Sequence, residues 1–212
     1  MDDRLIGYTT LAGAGQSEIE EKKSVFLGRA KPVRSEEEAQ AFVREIKTAY
    51  ADARHNVYAY LLSGGAVARM SDDGEPQGTA GVVLLDVLKK KGVTNAAIVV
   101  TRYFGGILLG APGLVRAYSA AAVAAVNDAG IAVMVPYARF SVQCSYSEHP
   151  KLKRALENLG CVEEGTDFDL AVTLHASVEQ QRMAQVRSFL SEFAAGRLTV
   201  TEEGTVLRPS EE

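Results

Sequence analysis

Two cysteines, Cys144 and Cys161, are all that 212 residues contain, and no Cys-x-x-Cys pair or Cys/His ligand spacing accompanies them. That excludes a disulfide framework and a zinc-type cluster. Reduced thiols in a core are expected instead, and with them a cytoplasmic location. No apolar run approaches the roughly 18 residues that a membrane span needs, so no membrane partner is expected. The chain opens on Met1-Asp2-Asp3 with no apolar segment behind it, which argues against a secretory signal. A basic excess is missing too. The net charge is −4; the part before Pro136 is neutral and the remainder carries the whole deficit. Binding of nucleic acid by overall charge is thereby excluded, and only a local basic patch is left. Gly-x-Ser-x-Gly and His-Glu-x-x-His are absent. Ala111 and Pro112 stand where a phosphate-binding P-loop requires Lys and Ser/Thr, and Gly13-Ala14-Gly15 lacks the third glycine of a dinucleotide fingerprint. No cofactor is expected.

What is present is an ordinary globular composition, 47% hydrophobic and 24% charged, in a chain long enough for two small domains. Residues 17–33 read as extended. Ser35 to Glu38 has the form of a capping box, and Ala39, Phe42, Val43 and Ile46 follow on one helical face. Strands are expected over Asn56–Leu62, Ala66–Met70 and Ala96–Tyr103, and helices over Val82–Lys91 and Pro112–Asp128, the last closed by Gly130. Beyond Val135-Pro136, Ala138, Phe140, Val142, Cys144 and Tyr146 alternate with polar residues as a strand buried on one face. A helix follows Pro150. Cys161–Glu163 and Phe168–Ala176 are expected to pair about Gly165. Ser177 and Gln180 have the spacing of another capping box ahead of Met183, Val186, Leu190 and Phe193, and Arg197–Leu207 is the last extended segment. The order βαββαβ is the ferredoxin-like pattern. The outward strand residues Arg139, Ser141, Gln143, Asp169, Thr173 and His175 include no aromatic to stack on a base, so the second domain does not read as an RNA-recognition motif.

Three clusters carry the chemistry-bearing residues. In Ser71–Gly81, Asp72, Asp73 and Glu75 precede Gly78, Thr79 and the start of a helix. Free amides there suit an anion, but the EF-hand spacing is missing and no metal is expected; the alternative is a solvated turn. In Thr101–Tyr118, Arg102 and Tyr103 end an apolar strand, Gly105 and Gly106 permit close backbone approach, and Arg116 sits in the early turns of a helix, where the dipole disfavours a cation. Tight helix–sheet packing is the other reading of those glycines. In Asp52–Asn56, Arg54 and His55 stand at the start of a strand, and His55 is a candidate acid/base or ligand group against the commoner role of a hydrogen-bonded structural histidine. Arg54, Arg102, Arg116 and the Gly78–Gly81 amides are expected to converge on one anion-binding cleft. The alternative is internal neutralisation of the arginines by Asp72, Asp73 and Glu75.

Ser71–Gly81, Val100–Gly110 and Gly113–Tyr118, with Asp52-Ala53-Arg54-His55, resemble the Impact/YigZ family, and the resemblance extends over essentially the whole chain. It implies an α+β fold with two domains. Residues 1–135 are expected to be similar to a small-subunit ribosomal protein domain and to elongation factor G domain IV. Residues 136–212 are expected to form a ferredoxin-like domain similar to elongation factor G domain V. It also implies a link to translation and brings no catalytic mechanism. The leading expectation is a non-enzymatic factor whose partner is the ribosome or ribosomal RNA. An enzyme acting on a phosphorylated or carboxylated metabolite, and a regulator that binds a protein partner through the same face, are the alternatives.

Overall fold

The structure, a computed structural model, describes residues 6–193 and 197–210; the acidic Met1-Asp2-Asp3 lies outside them. After a short strand β1 (Tyr8–Leu11), the chain runs through β2 (Gly15–Glu21) and turns sharply into β3 (Ser24–Pro32). The turn residues Lys22 and Lys23 have φ of 48° and 65°, the double left-handed conformation that matches the twist of a tight hairpin. Helix α1 (Glu36–Ala49) starts where its cap dictates: the Glu38 amide donates to Ser35 Oγ at 3.2 Å. The Glu38 carboxylate accepts from the Arg34 amide at 2.8 Å, one residue earlier than in the reciprocal box. The hairpin β4 (His55–Leu62) and β5 (Val67–Ser71) leads through a loop to α2 (Gly81–Lys90), then to β6 (Ala96–Tyr103) and the long α3 (Gly110–Ala129).

These strands form one sheet in the order β2-β3-β6-β4-β5, antiparallel throughout. Helix α1 lays Phe42, Val43 and Ile46 against Tyr60, Ala97 and Val99 on one face. Helices α2 and α3 cover the other with Leu84, Leu88, Tyr118 and Ala121 against Phe26, Val57, Ile98 and Val100. Strand β6 therefore buries both faces, which is why it reads as an unbroken apolar run instead of an alternating one. The small residues of α3 let it lie close on β2 and β3. A Cβ on Gly15 would stand 2.2 Å from the Ala125 carbonyl oxygen, and one on Gly28 2.8 Å from that of Ala121. Ser17 Oγ donates to the latter at 2.7 Å.

One compact unit spans Tyr8–Val133; the second takes residues 6–7 and the chain from Met134, inside β7 (Ile131–Cys144), onward. The second continues as α4 (His149–Asn158), β8 (Val162–Phe168), β9 (Val172–Glu179), α5 (Met183–Phe193) and β10 (Thr199–Pro209). Its strands follow the order β10-β7-β9-β8, all antiparallel. Phe140, Val142, Leu152, Leu156, Leu174, Val186 and Leu190 fill its core. Cys144 and Cys161 are buried and unbridged, and burial pushes the Cys161 thiol up to about 12. Among the described residues no helix is long and apolar enough to cross a membrane.

Three local expectations are corrected in this unit. Strand β7 ends at Cys144, so Tyr146 leaves the buried face and stands exposed with its hydroxyl on the Asp169 carbonyl, 2.8 Å. The β8–β9 turn lies at residues 169–171, and Gly165 instead sits within β8, at a register shift opposite His175. Ser177 caps no helix, because strand pairing to Arg139 and Val162 holds it buried in β9; a 3-10 turn over Gln180–Arg182 intervenes before α5.

On the sheet of this unit His175 lies between two carboxylates, with Nε2 3.0 Å from Asp167 and Nδ1 3.3 Å from Glu203. The Asp167 hydrogen bond and the Glu203 charge, working against partial desolvation, raise its pKa above the ordinary histidine value. A raised folded-state pKa contributes stability below the unfolded value, about 6.5, and that contribution disappears as pH rises through the folded value. His175→Gln is therefore expected to lower stability at pH 5.5, with the difference from wild type shrinking as pH passes upward through the folded value; urea unfolding across that range reads it. In the first unit, Gly15→Ala is expected to cost about 1–3 kcal/mol by forcing α3 off the sheet. Gly13→Ala, where a Cβ meets nothing within 4 Å, is expected to stay within about 0.5 kcal/mol of wild type. Equal unfolding midpoints for the two variants would refute that packing argument.

Candidate functional site

Strand register assembles the site. Arg102 near the end of β6 is paired with Phe26 of β3 on one side and His55 of β4 on the other, and directly opposed residues share a sheet face. That face lies under α3, so Arg102 and His55 are aimed towards Tyr118 and the loop between β5 and α2. The neighbouring pair, Asn56 and Thr101, faces the other way and closes a buried hydrogen bond of 2.7 Å.

The three acids of the loop have three separate tasks. Asp72 accepts the amides of Gly78 at 3.0 Å, Ala80 at 3.1 Å and Gly81 at 2.7 Å. It thus supplies from nine residues upstream the cap that α2 lacks at its own N-terminus, and its charge suits the positive end of the dipole. Asp73 takes the Lys47 ammonium at 2.6 Å and the Asn56 amide at 2.7 Å, while its carbonyl oxygen lies 2.8 Å from His55 Nδ1. Glu75 is buried. Its Oε1 accepts from Arg102 Nη1 and from the Tyr118 hydroxyl, each at 2.7 Å, and lies 4.0 Å from His55 Nε2. Burial, reinforced by the Glu75 charge, holds the Tyr118 phenol far above its ordinary pKa, so it remains a donor.

Arg102 is 6% exposed and lies between the rings of Phe26 and Phe104, 5.4 and 5.6 Å from their centroids. A guanidinium has five N–H donors. Among the described residues only Nη1 of Arg102 is used, and its Nε is buried without a partner. Beside it opens a cavity of about 200 Å³ lined by Arg54, His55, Arg102, Phe104 and Leu108.

The cleft thus brings together Arg54, His55 and Arg102, with Glu75 buried against Arg102 outside its lining. The expected convergence is corrected in two places. The Gly78, Ala80 and Gly81 amides are spent on Asp72 and that of Thr79 on the Pro76 carbonyl, and Arg116 stands exposed on α3 outside the cavity lining. The Tyr103 hydroxyl turns to Asp52 at 2.9 Å. Thr79 closes a turn on the Pro76 carbonyl at 2.7 Å. Gly105 lies against the β2–β3 turn, where a Cβ would come within 2.0 Å of the Lys23 backbone, and Gly106 follows in open space. Of the acids, Glu75 alone neutralises an arginine. Among the described residues no three His, Cys, Asp or Glu side chains stand together as a metal site. Tyr118, Phe104 and Leu108 escaped the residue-by-residue reading. The signal for Tyr118 was an aromatic hydroxyl on an otherwise alanine-rich helix face, which needs a partner when buried. For Phe104 and Leu108 it was two large apolar residues in a glycine-rich loop.

The Impact N-terminal domain model matches residues 22–126, and a family described as a domain of unknown function, DUF1949, matches residues 142–197. The chain is 33% identical over 199 residues to the IMPACT family member YvyE of Bacillus subtilis, covering 93% of this chain and 92% of that protein. It is 32% identical over 180 residues to the IMPACT family member YigZ of Escherichia coli, covering 84% and 88%. A protein IMPACT homolog of Dictyostelium discoideum is 42% identical over 102 residues, 45% of this chain and 28% of that protein. A crystal structure of a hypothetical protein is similar with a TM-score of 0.61 at 29% identity, covering 98% of this chain and 100% of that one.

Removing one member of the buried trio separates charge from packing. Glu75→Gln leaves the Arg102 guanidinium buried without a counter-charge and is expected to cost about 3–5 kcal/mol. Tyr118→Phe removes one hydrogen bond to a charged group and is expected to cost about 1.5–3 kcal/mol. Urea unfolding measures both, and a Glu75→Gln variant as stable as wild type would show that the pair carries no structural weight.

Proposed function

Because the chain belongs to the IMPACT family, we propose that it is a cytoplasmic, non-enzymatic, translation-linked factor. In this reading it associates with the ribosome or ribosomal RNA and holds an anionic group of that partner between Arg54, His55 and Arg102. The observation that carries the reading is the state of Arg102: nine-tenths buried, one hydrogen bond made, and placed at the wall of an open cavity. Donors withdrawn from water without partners are costly, and an anion in the cavity offsets that cost. The translation link comes from the likeness of the two domains to elongation factor G domains IV and V, which the family resemblance implies.

A second reading, an enzyme acting on a phosphorylated or carboxylated metabolite, is favoured by one observation. His55 lines the same cavity with Nδ1 committed to Asp73 and Nε2 uncommitted, the disposition of an acid/base group.

Sucrose-gradient sedimentation of the tagged chain distinguishes the two. At low salt the wild type is expected in the ribosomal fractions, and Arg54→Ala, which alters an exposed side chain, is expected to reduce that amount by roughly tenfold. Absence from every ribosomal fraction at low and moderate salt alike refutes ribosome association.

A further inference from the structure

The ring of His55 restricts what kind of anion the cleft accepts. The Asp73 carbonyl oxygen, 2.8 Å from Nδ1, can only accept, so the ring donates from Nδ1. In the neutral imidazole Nε2 is then a bare acceptor. It has no hydrogen bond among the described residues, and Glu75 Oε1, 4.0 Å away, already serves Arg102 and Tyr118. A ligand at this point must either give Nε2 a proton or meet a ring that has already taken one.

Resting on the anion-binding reading above, we infer that the group held by Arg54, His55 and Arg102 is a phosphomonoester and not an internal phosphodiester. A diester has two non-bridging oxygens and no proton to offer. A monoester has three terminal oxygens and a second pKa of about 6, so near neutral pH it shares one proton with an imidazole, as O–H···N or as N–H⁺···O⁻. The remaining oxygens are left for the two guanidinium groups. The local charges agree. Glu75 cancels Arg102 and Lys47 cancels Asp73, while Asp52 accepts from Tyr103 outside the cavity lining. Arg54 and a protonated His55 are left to match the two charges of a monoester. The other wall, Phe104 at 47% and Leu108 at 82% exposure, offers an apolar surface to the ring or sugar that bears the phosphate. A cavity of about 200 Å³ has room for that end group and part of its carrier.

The shared chemistry is available from an RNA end or from a free mononucleotide, and fluorescence anisotropy on the whole chain separates them. The probes are one labelled RNA decamer carrying a 5′-phosphate, the same carrying a 3′-phosphate, and the same with neither, each with and without AMP as competitor. At least one phosphorylated decamer is expected to bind roughly tenfold tighter than the unphosphorylated one. That preference is expected to vanish in Arg54→Ala and in His55→Phe, with the melting temperature of each variant confirming that it is folded. Displacement by AMP identifies a free nucleotide as the better ligand, and failure to displace identifies the RNA end; either keeps the phosphomonoester. Equal binding of all three decamers overturns this inference and leaves RNA association standing. Binding of no decamer, together with no rise in melting temperature on adding AMP, overturns both.

Discussion

Oε1 of Glu75 receives a hydrogen bond from the end of β6 through Arg102 and another from the middle of α3 through Tyr118, both at 2.7 Å. The loop before α2 is thereby tied to the sheet and to the helix at one buried atom. Taking a carboxylate and a guanidinium out of water costs several kcal/mol each, and their attraction offsets that cost only with good geometry and further hydrogen bonds. Tyr118 supplies such a bond, and the flanking rings of Phe26 and Phe104 give the guanidinium cation–π contacts. The Arg102 end of the pair stays under-satisfied, with Nε buried and unpartnered. The protein therefore keeps an incompletely satisfied cation at the wall of the cavity between the start of β4, the end of β6 and the β6–α3 loop. An all-apolar replacement would pack the same space and leave no binding capacity.

The rest of the loop follows from that anchor. With Glu75 inward, Asp72 faces the start of α2 and caps it, and Asp73 lies against the first residues of β4, where it holds Lys47 and orients His55. A run of acids that reads as a solvated turn is in fact partitioned among a helix dipole, an ammonium and a guanidinium. That partition explains how a stretch with three carboxylates sits next to a cavity lined by Arg54 and Arg102. Each of these three negative charges is already matched, and among the described residues lining the cavity Arg54 has no counter-charge.

Much of the fold was legible because its signals are local. Ala39, Phe42, Val43 and Ile46 mark one helical face, Ser35 marks its start, and the apolar run of β6 has a length and a β-branched content that belong to a strand. The site was legible in part. Glycines and charges around Arg102 pointed to the right loops. Which acid meets which cation depends on strand register and on a turn geometry that spacing does not encode, so Glu75 could not be told from Asp72 or Asp73. Arg116 misled because a cation in the early turns of a helix is an anomaly only if it is buried, and here it faces water. In the second unit the apparent pairing about Gly165 failed for a similar reason. Glycine marks turns and bulges alike, and this one marks a bulge.

The exposed apolar groups of the two units differ in their electrostatic surroundings, and that difference decides which of them has the chemistry a single strand of RNA requires. Phe104 and Leu108 stand beside Arg54 and Arg102. In the second unit, Tyr146 and Phe168 lie with ring centroids 6.2 Å apart, and Leu170 at the β8–β9 turn is 99% exposed. Asp169 lies in that turn and Asp167 near the end of β8. Residue alternation placed no aromatic on the outward strand positions, yet Phe168, at the last position of β8, is 63% exposed. Its presence does not make a base-stacking platform. Stacking on a single strand is accompanied by cations that track the phosphates, and here the nearest charges along the chain are acidic. Acidic charge around the β8–β9 turn, and not the lack of an aromatic ring, therefore disfavours RNA on this unit, while an exposed ring beside an unmatched cation occurs at Phe104.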